Sequence, residues 1–244
     1  MNMMTNYKNI NNMLIVFNQN KSDYKFIIDW SAKSGCTVIC KMFFDYMELL
    51  DEYNKNSNWI HNSRSLYYEE YGRVNNKLLF SNEYLKIKFV RNPYSRAISS
   101  FIHVMKTKLK EKFNNKDMSF YNFLLNLQKK EINDIHYNLQ IIKEEKNDNI
   151  FDKVIKIENL IDEVKLLNEN YNINLNCDFS SFHHNNIGNT IKKYCGHTKY
   201  SEMKEIPNYK FFYNKKIKNL VYEIYKEDIH KYNYTFQDFL ISCR

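Results

Sequence analysis

Phe26-Ile-Ile-Asp-Trp30, followed at once by Ser31-Ala-Lys-Ser-Gly-Cys-Thr37, decides the fold of this chain. A short apolar, β-prone run meets a loop of small residues that holds one lysine. Behind the loop, Val38, Ile39, Met42, Phe43, Tyr46, Leu49, Leu50 and Tyr53 recur with a helical period, which puts Cys36 or Thr37 in a first helical turn. A strand that turns tightly into a helix aims backbone N–H groups and the positive end of the helix dipole at one spot, a cradle for an anion. A second junction of this kind follows, where Leu85-Lys-Ile-Lys-Phe-Val90 runs into Arg91-Asn-Pro-Tyr-Ser-Arg-Ala-Ile-Ser-Ser100. Asn92 is biased away from helix by the proline after it, and Pro93 suits a first helical position. Two such junctions point to a ligand with phosphates at both ends.

Working outward, Leu85–Val90 alternates poorly and reads as a buried parallel strand. Ala97, Ile98, Phe101, Ile102 and Met105 continue a helical face, and Phe120–Leu127 reads as another helix. Lys153-Val-Ile-Lys-Ile157 is a strand followed by a helix over Leu160–Asn168, and Ile217, Leu220, Val221, Ile224 and Tyr225 mark a last helix. Asn54–Asn82 reads as polar and irregular, with aromatic anchors at Trp59, Tyr67, Tyr68 and Tyr71. Strands alternating with helices predict an α/β fold, a central mostly parallel sheet flanked by helices. With no internal repeat and no linker composition, one domain is expected over residues 1–244, its core at about 24–236.

Composition bounds the function. Apolar residues make up 43% and aromatic residues 16% of the 244, which excludes a disordered chain. The net charge of +8 favours an anionic partner without naming it. The basic residues are dispersed rather than gathered into an arginine-rich run, so no nucleic-acid partner is expected. Five cysteines, Cys36, Cys40, Cys177, Cys195 and Cys243, form no CxxC and no metal-ligand spacing, so free thiols and no metal are expected. The N-terminus lacks the layout of a signal peptide, and Met13–Phe17 is too short to span a bilayer, so the expectation is a soluble, cytoplasmic protein.

The first loop is not a Walker A motif, because the Gly-x4-Gly-Lys-Ser/Thr order is absent. Lys33, Gly35, Cys36 and Thr37 instead resemble the 5′-phosphosulfate loop of sulfotransferases that use 3′-phosphoadenosine 5′-phosphosulfate (PAPS). The Cys-Thr pair with Lys41 is most similar to carbohydrate sulfotransferases of the chondroitin/dermatan 4-O type, with Ala32 standing where they usually carry proline and Ile39 where tryptophan is common. Arg91, Pro93, Tyr94, Arg96 and Ser99 resemble that family's 3′-phosphate segment, with Asn92 in place of an acid, a change expected to make the site slightly more positive. Asp134-Ile-His-Tyr137 with Gln140, Phe151–Leu160, and Val221–Asp228 with Tyr234 resemble three further family segments, in family order.

The resemblance implies a P-loop-like sulfotransferase fold and a PAPS-dependent transfer to a hydroxyl, with PAP as the nucleotide product. The partners are then the nucleotide donor and a hydroxylated acceptor, expected to be a glycan. Lys33 would meet the bridging oxygen and 5′-phosphate, with Ser31, Ala32, Ser34, Gly35, Cys36 and Thr37 forming the cradle and the Ser34–Thr37 amides donating to it. Arg91 and Ser99 would take the 3′-phosphate, while Arg96 is expected to brace a helix. The acceptor needs a base, and His61 is favoured over His136 because it lies between the two nucleotide segments. Glu69 or Glu70 would be the fallback, His183 and His184 could border the acceptor or nucleotide, and acceptor specificity is expected from Asn54–Asn82 and Lys106–Met118. Two other readings stay open: a PAP-binding module without catalysis, and, ranked below it, a nucleic-acid binder.

Overall fold

Strands β2 (Lys25–Trp30) and β3 (Tyr84–Val90) lie side by side and parallel, Lys25 opposite Tyr84 and Trp30 opposite Phe89. Because the register matches end to end, both strands finish at the same edge of the sheet, and so do the two junctions that follow them. This is seen in a computed structural model that describes residues 13–16, 25–51, 60–113, 117–129, 132–146, 148–178, 187–188 and 192–243. Strand β1 (Leu14–Val16) adds an antiparallel edge to β2, and β4 (Lys153–Lys156) pairs parallel with β3, giving the order β1-β2-β3-β4. The mostly parallel sheet of an α/β fold is therefore present. A separate short pair joins Ile187–Gly188 to Ile206–Pro207.

Helices α1 (Cys36–Tyr46), α2 (Ile60–Tyr71) and α5 (Leu160–Tyr171) share a core with one face of the sheet, where Phe26, Ile28, Trp30, Ile87, Phe89 and Ile155 are buried. Burying each such side chain contributes about 1.5–3 kcal/mol. A second core gathers α3 (Pro93–Lys106), α4 (Phe120–Gln128), α6 (Lys215–Lys231) and α7 (Phe236–Ser242), with Phe101, Phe120, Phe123 and Phe212 at its centre. Among the described residues no helix is long and apolar enough to cross a membrane.

Two expectations need correction. The described part of the Asn54–Asn82 stretch, from Ile60 on, is not irregular: it contains α2 and a short 3-10 turn at Asn76–Phe80. The helical period of α2 is carried by Ile60, Ser63 and Tyr67, so a serine and a tyrosine hide the buried face from an apolar count. Tyr67 also donates its hydroxyl to the Ile15 carbonyl at 2.9 Å, fastening α2 to the β1 edge. Trp59 lies outside the described residues.

Strand β3 is a buried parallel strand as expected, but its two faces alternate apolar with charged. Leu85, Ile87 and Phe89 face one layer while Lys86 and Lys88 are buried on the other. Lys88 is fully buried, 2.5 Å from Glu145 Oε2 and 3.3 Å from Asp29 Oδ2, and Glu145 accepts the Tyr232 hydroxyl at 2.9 Å. A buried ammonium needs such partners, and each of them is costly to remove. Burial pushes the Asp29 carboxyl above its ordinary value despite the pull of Lys88.

Candidate active site

The first junction is built around two left-handed residues, Lys33 (φ 69°) and Gly35 (φ 84°). Glycine takes that conformation without strain, whereas lysine does so at a cost of about 1–2 kcal/mol. The turn is held from inside. Ser34 is fully buried, its amide donates to Ser31 O at 3.1 Å, and its hydroxyl donates to Gln140 Oε1 at 2.7 Å. The Ser31 hydroxyl reaches Gln140 O at 3.3 Å, and the Cys36 thiol reaches Ser31 O at 3.6 Å. Helix α1 begins at Cys36 with no side-chain cap, and among the described residues the amides of Gly35, Cys36 and Thr37 find no backbone acceptor. Those three donors are the orphans of a helix start, left for an anion. The expected role of the Ser34 amide is corrected here, because that N–H is already spent inside the loop.

The second junction spends its amides differently. Arg91 N donates to Gln140 Oε1 at 2.9 Å, Asn92 N to Glu158 Oε1 at 2.7 Å, and Tyr94 N to Asn92 Oδ1 at 3.0 Å. Asn92 is completely buried, capping α3 through Oδ1 and donating Nδ2 to Thr235 O at 3.2 Å. The side chain standing where the family carries an acid thus works as a helix cap inside the protein. What this junction offers outward is the partly exposed Arg91 and, two turns along α3, the half-buried Ser99. Arg91 Nη1 donates to the Lys33 carbonyl at 3.1 Å, so the lysine turn and the arginine turn touch.

Behind both turns sits a buried bracket. Gln140 is fully buried and joins Ser34, Arg91 N and, through Nε2, Arg91 O at 2.8 Å. Its own amide rests on the Asp228 carboxylate of α6 at 2.8 and 2.9 Å, and the Ile141 amide joins at 3.1 Å. Burial pushes Asp228 up to about 6 against the pull of Arg96 and these amides. Arg96 does more than brace a helix. Nearly fully buried, it spreads its fork over three carbonyls, Ala32 at 2.9 Å, Asn138 at 2.6 Å and Ile135 at 3.4 Å. Tyr234 donates to Glu158 Oε2 at 3.0 Å, so the late family-like segments hold the junctions and do not enter them.

The turn that Arg96 supports carries one member of a histidine pair. His136 Nδ1 lies 2.6 Å from Asp134 Oδ1, and Lys112 Nζ lies 2.7 Å from Asp134 Oδ2. Burial pushes Asp134 up, but hydrogen bonds from His136 and Lys112 outweigh it and hold the carboxyl well below the usual range. The ring of His103, on α3, stacks on His136 at 4.2 Å with the planes 27° apart. Burial, then the positive charge of Lys33, push His103 down to about 4, with a smaller push from His61. Lys33 is itself lowered, chiefly by burial and further by Arg91, Arg96 and Lys106, while Cys36 opposes. Lys33, His61, His103 and His136 therefore share one electrostatic neighbourhood.

Of the other expected residues, Glu69 and Glu70 are exposed on α2, and His183 and His184 lie outside the described residues. Lys106–Met118 supplies Lys112 to Asp134, residues 114–116 being outside the described ones. His103 is the site residue that sequence reading overlooked. Its signal was a polar stripe along α3, where Arg96, Ser99, His103 and Lys106 recur at i, i+3, i+7 and i+10, the spacing of one helix face.

Comparison with curated proteins and with solved structures returned no match. Residues 9–235 match the model of the sulfotransferase family, a span holding both strand-end junctions, their bracket and the histidine pair. Over nearly its whole length, then, the chain is a member of the sulfotransferase family.

Proposed function

We propose that this chain transfers the sulfuryl group of PAPS to a hydroxyl of a carbohydrate, the acceptor class its Cys36-Thr37 and Lys41 pattern resembles. The observation that carries the reading is the 3.1 Å contact of Arg91 with the Lys33 carbonyl, which sets two anion-receptive turns against each other at one sheet edge. One nucleotide with a phosphate at each end spans such a pair. The amides of Gly35, Cys36 and Thr37 hold the 5′-phosphate, and Arg91 with Ser99 holds the 3′-phosphate.

The acceptor oxygen attacks sulfur in line, its O–S bond forming as the bond from sulfur to the bridging oxygen breaks. The Lys33 ammonium offsets charge growing on that bridging oxygen, and PAP departs. The acceptor proton passes to histidine. The Asp134 pair supports His136 over His61 as the base, because an ionised Asp134 can only accept, so the neutral tautomer of His136 has its proton on Nδ1 and its lone pair on Nε2.

Calorimetric titration with PAP tests the donor half. Arg91→Ala is expected to weaken binding about 10- to 100-fold, as loss of charge-assisted hydrogen bonds to a phosphate does. Lys33→Ala is expected to lower the rate more than the affinity. Radiolabelled PAPS with a panel of sugars and simple alcohols tests the other half, the product being checked by mass for one added SO3. PAP binding with no transfer to any acceptor would instead identify a nucleotide-binding module.

A further inference from the structure

His103 is half-buried on α3, covers one face of the His136 ring, and belongs to no part of the anion cradle. We infer that His103 is a positioning residue for the transfer: its ring, stacked at 4.2 Å on His136, holds that imidazole with Nδ1 on Asp134 and Nε2 turned to the acceptor. The inference rests on the proposed reaction for its catalytic meaning, but the geometry it asserts stands in the free protein.

Three observations carry it. The His136 side chain touches Asp134 through a single ring nitrogen, so one hydrogen bond restrains a χ2 torsion that is otherwise broad. The stacked ring of His103 adds a second restraint on that torsion. The backbone beneath His136 is also tied to the same helix, since Ser100 Oγ donates to the His136 carbonyl at 2.5 Å and Arg96 to the Ile135 carbonyl at 3.4 Å. Helix α3 thus grips the turn at three levels, main chain below and imidazole above. Finally, His103 stays uncharged through neutral pH, because burial and the Lys33 ammonium both disfavour its cation. An uncharged ring can sit against His136 as that ring becomes an imidazolium, whereas a second cation would oppose the proton transfer.

The experiment compares His103→Ala with His103→Phe, the second keeping a flat ring and removing both nitrogens. Nitrogen-15 NMR of the imidazoles in the free protein is expected to show His136 in a single tautomer, protonated at Nδ1, in the parent and in His103→Phe. In His103→Ala the His136 signals are expected to report a tautomer mixture. In transfer assays kcat of His103→Ala is expected to fall at least about tenfold, part of the 10²–10⁴ that a positioned base supplies. KM for PAPS should not move, and His103→Phe should restore most of kcat.

A single His136 tautomer in His103→Ala, or kcat equally low in both variants, would overturn the inference. The second result would make the His103 nitrogens themselves the reacting groups. Should the parent protein transfer nothing, the proposed function falls, while the tautomer measurement still decides the role of His103.

Discussion

The two junctions share a plan and differ in what they hold out. Each follows a parallel strand, each opens a helix, and they meet through Arg91 and the Lys33 carbonyl. The lysine turn presents backbone, because left-handed residues at Lys33 and Gly35 expose three amides at the start of an uncapped helix. The arginine turn has its amides satisfied by Gln140, Glu158 and Asn92, and presents a guanidinium and a hydroxyl. In the proposed transfer, fixed amides would suit a phosphate that must not move while a bond to it breaks. A side chain would suit an anchor at the far end of the proposed nucleotide. The same local topology has been turned to two kinds of grip, and the bracket of Arg96, Gln140 and Asp228 keeps the two in register.

The hardest way to break that register is at Arg96. Arg96→Lys keeps the charge but replaces a three-pronged fork by one ammonium. Two of the carbonyls of Ala32, Asn138 and Ile135 lose their donor, at about 1–3 kcal/mol each. That is a large share of the total stability of a domain. Urea unfolding should show the loss, and PAP affinity should fall with it. A variant as stable as the parent would mean that the junctions are held together by something other than this fork.

The next test uses pH on the carboxyl beneath Gln140. Burial raises Asp228 from 3.8 to about 6, so the folded state favours its protonated form between those values. Its stabilising contribution is then complete below about pH 4 and is lost as the pH rises through about 6, a span worth about 3 kcal/mol. Asp228→Asn removes this proton. The stability difference between parent and variant, followed by denaturant unfolding from about pH 4 to about pH 7, should shift against the parent by that order. A difference that stays flat would show that Gln140, Ile141 and Arg96 keep the carboxylate ionised throughout.

Much of this arrangement was legible in the residues. Phe26–Trp30 and Leu85–Val90 are β-prone runs ending at a glycine loop and at Asn-Pro, so both junctions could be read from chain order alone. The histidine motif and Gln140 were likewise visible as a resemblance. What escaped reading did so for physical reasons. Helix α2 buries Ser63 and Tyr67, whose hydroxyls disguise an inward face. Lys86 and Lys88 look like surface residues until Asp152, Asp29 and Glu145 arrive from distant segments to neutralise them. The stripe through Arg96 and His103 could have been counted, but the carbonyls and the ring that it meets belong to the lysine loop before it and to a turn well after it, which no local pattern announces.

The smallest expected effect is the one that separates the two junctions most cleanly. Gly35→Ala adds a methyl that meets Ile157 Cγ2 at 3.5 Å and Ile39 Cδ1 at 3.6 Å, ordinary contacts that leave φ 84° as the sole source of strain. A left-handed alanine costs about 1–2 kcal/mol, and relief of that strain swings the Gly35, Cys36 and Thr37 amides off their common aim. Asn92→Ala removes the cap of α3, about 1 kcal/mol, and the Nδ2 bond to Thr235 O, about 1 kcal/mol more, yet leaves those amides alone. Thermal unfolding should therefore score the two variants alike while PAP titration separates them, Gly35→Ala binding about tenfold more weakly than Asn92→Ala. Equal affinities would mean that backbone amides contribute little at the lysine turn. The phosphate grip would then belong to Lys33 and Arg91 alone, and the two junctions would no longer differ in kind.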